Sequence, residues 1–166
     1  MHNTKCMNQA KVDFLKNNFV PLLRQIPSDT KPLWGKMTVQ QMVEHFTDSV
    51  RIASGQTVHQ LIITPEENLQ KMQDFLMSEK PFRENTRNPL MPEVPAPVRN
   101  SSIEKALNEL QSELDQFFAV FEANQHLTTR NPLFGDLNFE MNVQLLHKHA
   151  LHHLRQFGPL PNGGGT

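Results

Sequence analysis

The chain has 166 residues, the length of one ordinary domain with a full hydrophobic core. Its 16 Lys and Arg against 17 Asp and Glu leave it nearly neutral, so neither nucleic acid nor a membrane surface is an expected partner. The one cysteine, Cys6, excludes an internal disulfide and a zinc site built from several thiolates. No segment approaches the roughly 20 apolar residues of a membrane helix, and the N-terminus lacks an apolar signal core, so we expect a cytoplasmic protein.

The first predicted helix runs from about residue 7 to residue 25. Its apolar residues recur at helical spacing on one side: Phe14, Leu15, Phe19, Leu22 and Leu23. Pro21 interrupts this pattern, and a proline inside a helix removes a backbone donor and crowds the preceding turn. We therefore expect a kink or a restart of the helix at Pro21.

The second long helix is predicted to begin after Thr38, whose side chain forms a capping box with Gln41. Its apolar face consists of Val39, Met42, Val43, Phe46, Val50 and Ala53. Gly55 marks its end. A short helix with Pro65 in its first turn follows, and the proline-rich stretch from residue 80 to residue 100 is predicted to be extended on the surface.

The third long helix is predicted to begin at Ser101, with Glu104 as its capping-box partner. After it, "NPLFGDLN" reads as a loop rich in turns. Asn138 caps the last helix, which ends at about residue 157 because Gly158 and a proline follow. The sequence shows no repeat and no strand-like alternation.

Four long amphipathic helices predict an all-α fold, a four-helix bundle formed by residues 1–158 as a single domain. The proline-rich crossover between the second and third long helices would let these two run in the same direction. Residues 159–166, "PLPNGGGT", are predicted to be a flexible C-terminal tail.

The last predicted helix carries four of the eight histidines, in "HKHALHH". Advancing by about 100° per residue places His153 on its apolar face and His149 at the edge of that face, one turn apart. His147 and His152 fall elsewhere and are expected to face solvent. The histidines outside the two long helices, His2, His59 and His126, are also expected at the surface.

His45 lies at the border of the apolar face of the second long helix, as His149 does on the last helix. Helical bundles build metal sites from side chains on facing helices, and imidazoles spaced i, i+4 reach one ion from one helix. His45, His149 and His153 are thus predicted to bind a divalent metal, and three nitrogen ligands leave a position open, as in catalytic zinc sites. Alternatively, the pair on the last helix is hydrogen-bonded at the core edge and His45 is structural.

Ligand histidines usually donate their second N–H to a neighbouring polar group. Gln156, Asn142 and Asp48 lie within one or two turns of the predicted ligands and are candidates for that role. Trp34 is expected to be a packing anchor, with a pocket wall as the alternative. No strong general base is evident, although Glu44 neighbours His45 in sequence.

Two stretches, "PLWGKMTVQQMVEHFTDSVRIASG" and "NPLFGDLNFEMNVQLLHKHALHHLRQFG", resemble the DinB/YfiT-like superfamily, and most closely a branch of unknown function. The resemblance covers about residues 20 to 55 and 130 to 158. It implies a four-helix bundle in up-down-down-up order with three metal-binding histidines. These match His45, His149 and His153, and Gln156 matches a glutamine that follows the second histidine of the pair.

The resemblance also implies activities, because some members of the superfamily are thiol transferases or isomerases in which a metal lowers the pKa of a low-molecular-weight thiol. The leading hypothesis is a metal-dependent enzyme, a thiol S-transferase or a hydrolase, with Zn²⁺ or Ni²⁺ activating a thiol or water. The alternative is a non-catalytic helical module that binds a small molecule or a partner, its metal site being vestigial or sensory. The expected partners are a small-molecule substrate and, in a homodimer, a second copy of the chain.

Overall fold

A computed structural model of the chain describes residues 2–86 and 88–158, with side chains from residue 8 onward. These residues are mostly helical, with one small two-stranded sheet. The helical fold class predicted from the sequence is therefore confirmed. The tail predicted for residues 159–166 lies outside the described residues.

The N-terminal helical stretch is divided into three parts. Helix α1 spans His2–Asp13, a π-helical segment spans Phe14–Asn18, and α2 spans Phe19–Arg24. Pro21 lies in the first turn of α2, where backbone N–H groups have no partner within their own helix. The irregularity predicted at Pro21 therefore lies just before it, in the wider turn that accommodates the proline ring.

The capping box predicted for the second long helix, α3 (Val39–Ala53), is confirmed. The Thr38 side chain accepts a hydrogen bond from the backbone of Gln41, and the Gln41 side chain accepts one from the backbone of Thr38. The predicted short helix is α4 (Glu66–Met77), with Pro65 at its N-cap. Residues 79 to 101 form no helix or strand where they are described, as expected.

Helix α5 spans Ile103–Ala123 and begins one residue later than predicted. Its N-cap is Ser102, whose hydroxyl accepts a hydrogen bond from the backbone of Lys105, so the assignment of the cap to Ser101 was wrong. Glu104 forms an ion pair with Arg24 of α2 at 3.0 Å. With the cap at Ser102, the third helical position is Lys105, so Glu104 is not placed to complete a capping box.

The loop predicted around "NPLFGDLN" contains a small antiparallel hairpin. Strand β1 (Thr129–Asn131) pairs with β2 (Gly135–Leu137), so the expectation that the chain has no strand was wrong. Three residues per strand are too few for alternation to stand out in the sequence. Asn138 follows directly and caps α6 (Phe139–Gln156), as predicted.

The main core lies between α1, the π-helical segment, α2, α3, α5 and α6. The apolar face predicted for α3 is buried throughout. The buried apolar side chains of α5 and α6 include Leu107, Leu110, Leu114 and Phe117, and Val143, Leu146 and Ala150. Helix α3 makes its most extensive contacts with α5 and also packs against α6. This last contact brings together the two helices that carry the predicted metal ligands. Among the described helices, none has the length and apolar character needed to cross a bilayer.

Candidate metal centre

Three imidazoles converge between α3 and α6. Nε2 of His149 lies 3.2 Å from Nε2 of His45 and 2.7 Å from Nε2 of His153. One nitrogen of each ring lies within 4.8 Å of the other two, so the three could act as ligands of one ion. His153 is buried, whereas His45 and His149 keep part of their surface exposed. The structure thus brings together the three histidines selected from the sequence.

The tautomer of His153 follows from its neighbours. The amide nitrogen of Gln156 donates to the backbone carbonyl of Trp34 at 2.9 Å, so its amide oxygen faces Nδ1 of His153 at 2.7 Å. That oxygen can only accept, hence Nδ1 of His153 carries the proton and Nε2 presents a lone pair to the cluster. Gln156 therefore holds His153 in this tautomer.

The cluster has more acceptors than protons to share. Since Nε2 of His153 is an acceptor, His149 must donate to it, and the same single hydrogen would have to serve the contact with His45. A cation would satisfy all three lone pairs together. Two nitrogens bound at about 2.05 Å to a tetrahedral zinc lie about 3.3 Å apart, which is close to the 3.2 Å between His45 and His149 and wider than the 2.7 Å between His149 and His153. The donor set therefore fits a divalent metal.

The surroundings of the cluster keep the imidazoles neutral. Burial lowers the pKa of His45 to about 4 and that of His153 to about 3, and it lowers the pKa of His149 well below its ordinary value. Phe46, which is fully buried, stacks on the ring of His149 with a centroid distance of 4.8 Å. Neutral imidazole is the form that binds metal, so these rings are ready to bind at neutral pH.

Asn142 and Asp48, two of the polar residues predicted to orient the ligands, bind other groups. The buried Asn142 amide donates to the Thr129 hydroxyl and to the carbonyls of Leu137 and Asn138, and so ties the hairpin to α6. The exposed Asp48 pairs with Arg99 at 3.1 Å and influences His45 only through its charge, which raises the pKa of that histidine slightly against the effect of burial. Both residues were selected by helical spacing alone, which gives no information about partners on other parts of the chain.

His147 and His152 are half-buried, so the prediction that they face solvent was wrong. His147 packs edge-on against Phe14 at a centroid distance of 5.3 Å. His152 packs against Trp34 and Phe82, at 5.4 and 6.2 Å. These residues come from other parts of the chain, which a helical projection of α6 alone does not include. His126 is exposed as predicted and His59 is half-buried, and the His2 side chain lies outside the described set.

Glu44, next to His45 in sequence, is a buried carboxylate that holds the end of the proline-rich segment. It accepts hydrogen bonds from the backbone of Arg99 and from the backbone and side chain of Asn100. Burial alone would raise the pKa of Glu44, but these hydrogen bonds outweigh it and lower the pKa. Its oxygens are therefore occupied, and Glu44 is not a free base for chemistry at the histidines.

Lys148 was not anticipated as a buried residue. Its ammonium group donates to the backbone carbonyls of Phe75, Ser78 and Lys80, at 2.7–2.8 Å, and thereby caps the C-terminal end of α4. It also lies 4.5 Å from the centre of the Phe75 ring. A lysine beside the apolar face of an amphipathic helix gives no sequence signal for this role, because its partners are carbonyl groups.

The two sequence stretches that resemble one superfamily meet at Gln156. Gly35 has a φ of +76°, and a Cβ atom at that position would lie 3.0 Å from the Gln156 amide nitrogen. The motif with Trp34 and Gly35 therefore packs on the glutamine that orients His153. No protein-family model matches the chain, and neither curated proteins nor solved structures gave a match. Membership of that superfamily stays a prediction.

Proposed function

We propose that this chain is a metal-dependent enzyme of the DinB/YfiT-like type, with His45, His149 and His153 as the ligands of a divalent ion. The observation that carries the proposal is the convergence of one nitrogen from each ring within 4.8 Å. The chemistry of the set, three neutral nitrogen donors without thiolate, favours Zn²⁺ or Ni²⁺ among the metals of proteins. The four-helix bundle in up-down-down-up order is the arrangement proposed for the helices that share the main core.

Such a centre would activate a thiol or water, because a cation held by neutral ligands keeps its full charge and favours thiolate or hydroxide near neutral pH. We therefore propose a thiol S-transferase or a hydrolase acting on a small molecule. Gln156 orients His153, and Phe46 supplies the apolar wall behind His149. His45 and His149 are the two ligands that keep part of their surface exposed, so a substrate would approach from their side.

The first experiment measures metal stoichiometry. Protein purified without added metal is loaded with Zn²⁺ or Ni²⁺, desalted and analysed for bound metal, with helicity followed by far-UV circular dichroism. We expect one equivalent of metal per chain, and its loss in His149→Ala with helicity retained. The matched control is His126→Ala, because His126 is exposed. Full metal retention by His149→Ala would refute the assignment.

The second candidate function is a non-catalytic module that binds a small molecule or senses metal. It is favoured by the engagement of the nearest carboxylates, since Glu44 binds the backbone of Arg99 and Asp48 pairs with the Arg99 side chain. Turnover separates the candidates. Metal-loaded protein is tested with a thiol and an activated aryl halide, and then with a nitrophenyl ester. Activity that disappears in His149→Ala supports the enzyme, whereas inactivity with both metals supports the module.

A further inference from the structure

A depression of about 660 Å³ lies beside the C-terminal end of α6. One wall comes from α6 and from Gly158, two residues beyond its end, at the spacing i, i+3, i+4 and i+7. The other walls come from the segment before α3 and from the beginning of the proline-rich segment. The lining residues are Leu33, Trp34, Glu84, Asn85, Leu151, Leu154, Arg155 and Gly158.

This depression is distinct from the metal centre. At about 100° per residue, Leu151 and Arg155 lie on the side of α6 opposite to His149 and His153. The walls are largely apolar, and Leu33 and Leu151 expose 68% and 37% of their surface. A ligand bound here would therefore not need to contact the metal ligands.

Arg155 carries a charge without a partner inside the described part of the chain. Its Nη2 atom is buried and makes no hydrogen bond, and the guanidinium forms no ion pair with a described carboxylate. Arg155 is the cationic side chain that lines the depression, so its guanidinium is the group that can bind an anion there.

We propose that this depression binds a small organic carboxylate, with its charged end at Arg155 and its hydrocarbon part on Trp34, Leu151 and Leu154. Guanidinium groups bind carboxylates through charge-assisted hydrogen bonds. Glu84, which also lines the depression, would repel a multiply charged ligand such as a phosphate ester more strongly than a monoanion. An amphiphilic monoanion is thus the ligand class that matches the walls.

Trp34 makes the proposal directly measurable, because the chain contains one tryptophan and no tyrosine. Hexanoate, hexanol and hexyl phosphate are titrated into the full chain in excess chelator while tryptophan emission is recorded. The chelator removes any contribution from carboxylate binding to a metal. We expect a saturable change with hexanoate at millimolar concentration, and an affinity for hexanol and for hexyl phosphate at least about tenfold weaker. Equal responses to hexanoate and hexanol, or no saturable response to hexanoate, would overturn the proposal.

A variant pair tests the role of Arg155. Arg155→Met is expected to weaken hexanoate binding about tenfold or more while leaving the response to hexanol unchanged. Arg24→Met is the control, since Arg24 is exposed and pairs with Glu104 away from the depression. Equal losses in the two variants would show a general effect of charge and overturn the assignment. The wild-type comparison of hexanoate with hexanol decides the question even if Arg155→Met does not fold.

Discussion

Gln156 is the residue through which separate parts of the chain act on the proposed metal site. Its amide nitrogen donates to the Trp34 carbonyl and its amide oxygen accepts from Nδ1 of His153. The hydrogen bond to Trp34 fixes which way the amide faces, and this in turn fixes the His153 tautomer. The nitrogen that faces the cluster thus carries a lone pair and no proton.

Replacing Gln156 by leucine keeps a side chain of similar volume but removes both hydrogen bonds. We expect Gln156→Leu to weaken zinc binding about 10- to 100-fold, the usual effect of losing a group that orients a ligand. Competition with a chromophoric chelator measures this affinity. Gln70→Leu is the control, because Gln70 is exposed and bonded only to Asp74 of its own helix. Unchanged affinity in Gln156→Leu would show that packing alone orients His153.

The burial of His147, which is not a proposed ligand, makes the stability of the folded chain depend on pH. Burial, followed by the charge of Lys11, lowers its pKa to about 4. An unfolded histidine titrates near pH 6.5, so between these values the unfolded chain binds a proton that the folded chain does not. The contribution to stability is therefore unchanged above about pH 6.5 and falls as the pH drops from about 6.5 to about 4.

We expect the metal-free protein to lose more stability between about pH 7 and pH 5 than the His147→Gln variant does. One histidine can change the free energy of unfolding by at most about 1.4 kcal/mol per pH unit. The partial exposure of His147 makes its contribution smaller. Urea unfolding in the presence of a chelator at several pH values gives the free energy of unfolding as a function of pH, and hence the slope for the wild type and for the variant. A slope in the variant equal to or steeper than that of the wild type would contradict the assigned burial of His147.

At the scale of the helices, local sequence determined most boundaries and tertiary contacts changed the rest. The caps at Thr38 and Asn138 follow from their own residues and were predicted. Two adjacent serines precede α5, however, and both are suitable caps. The ion pair between Glu104 and Arg24 uses the glutamate that a capping box at Ser101 would need. Sequence alone could not decide between the serines, because either can cap a helix and a shift of one residue changes the sequence pattern little.

The two serines provide a matched pair of variants. Ser102→Ala is expected to lower the free energy of unfolding by about 1 kcal/mol, because it removes the acceptor for the backbone N–H of Lys105. Ser101→Ala should change it by less than about 0.5 kcal/mol, since Ser101 is exposed. Urea denaturation of both variants measures the difference. The reverse order would place the cap at Ser101.

At the scale of the whole molecule, the proposed metal would join α3 to α6, two helices far apart in sequence. The sequence predicted this arrangement because His45 and His149 occupy equivalent borders of two apolar faces that share one core. It could not predict the surroundings of His147 and His152. Their environment comes from Phe14, Trp34 and Phe82, and no pattern within α6 reports which neighbours cover its remaining faces.

A cation bound at the proposed site between α3 and α6 would stabilise the folded chain by mass action, because the three histidines converge only when the chain is folded. At 100 times its dissociation constant, zinc adds about 2.7 kcal/mol. In a chain of this size this corresponds to a rise of about 5 to 10 °C in the unfolding temperature.

His45→Ala leaves the pair on α6 intact but removes the ligand from α3, so we expect its zinc-induced shift to be below about 2 °C. His126→Ala should keep the full shift. Scanning fluorimetry with and without zinc compares them, and an undiminished shift in His45→Ala would mean that the ion is held by α6 alone and does not connect the helices.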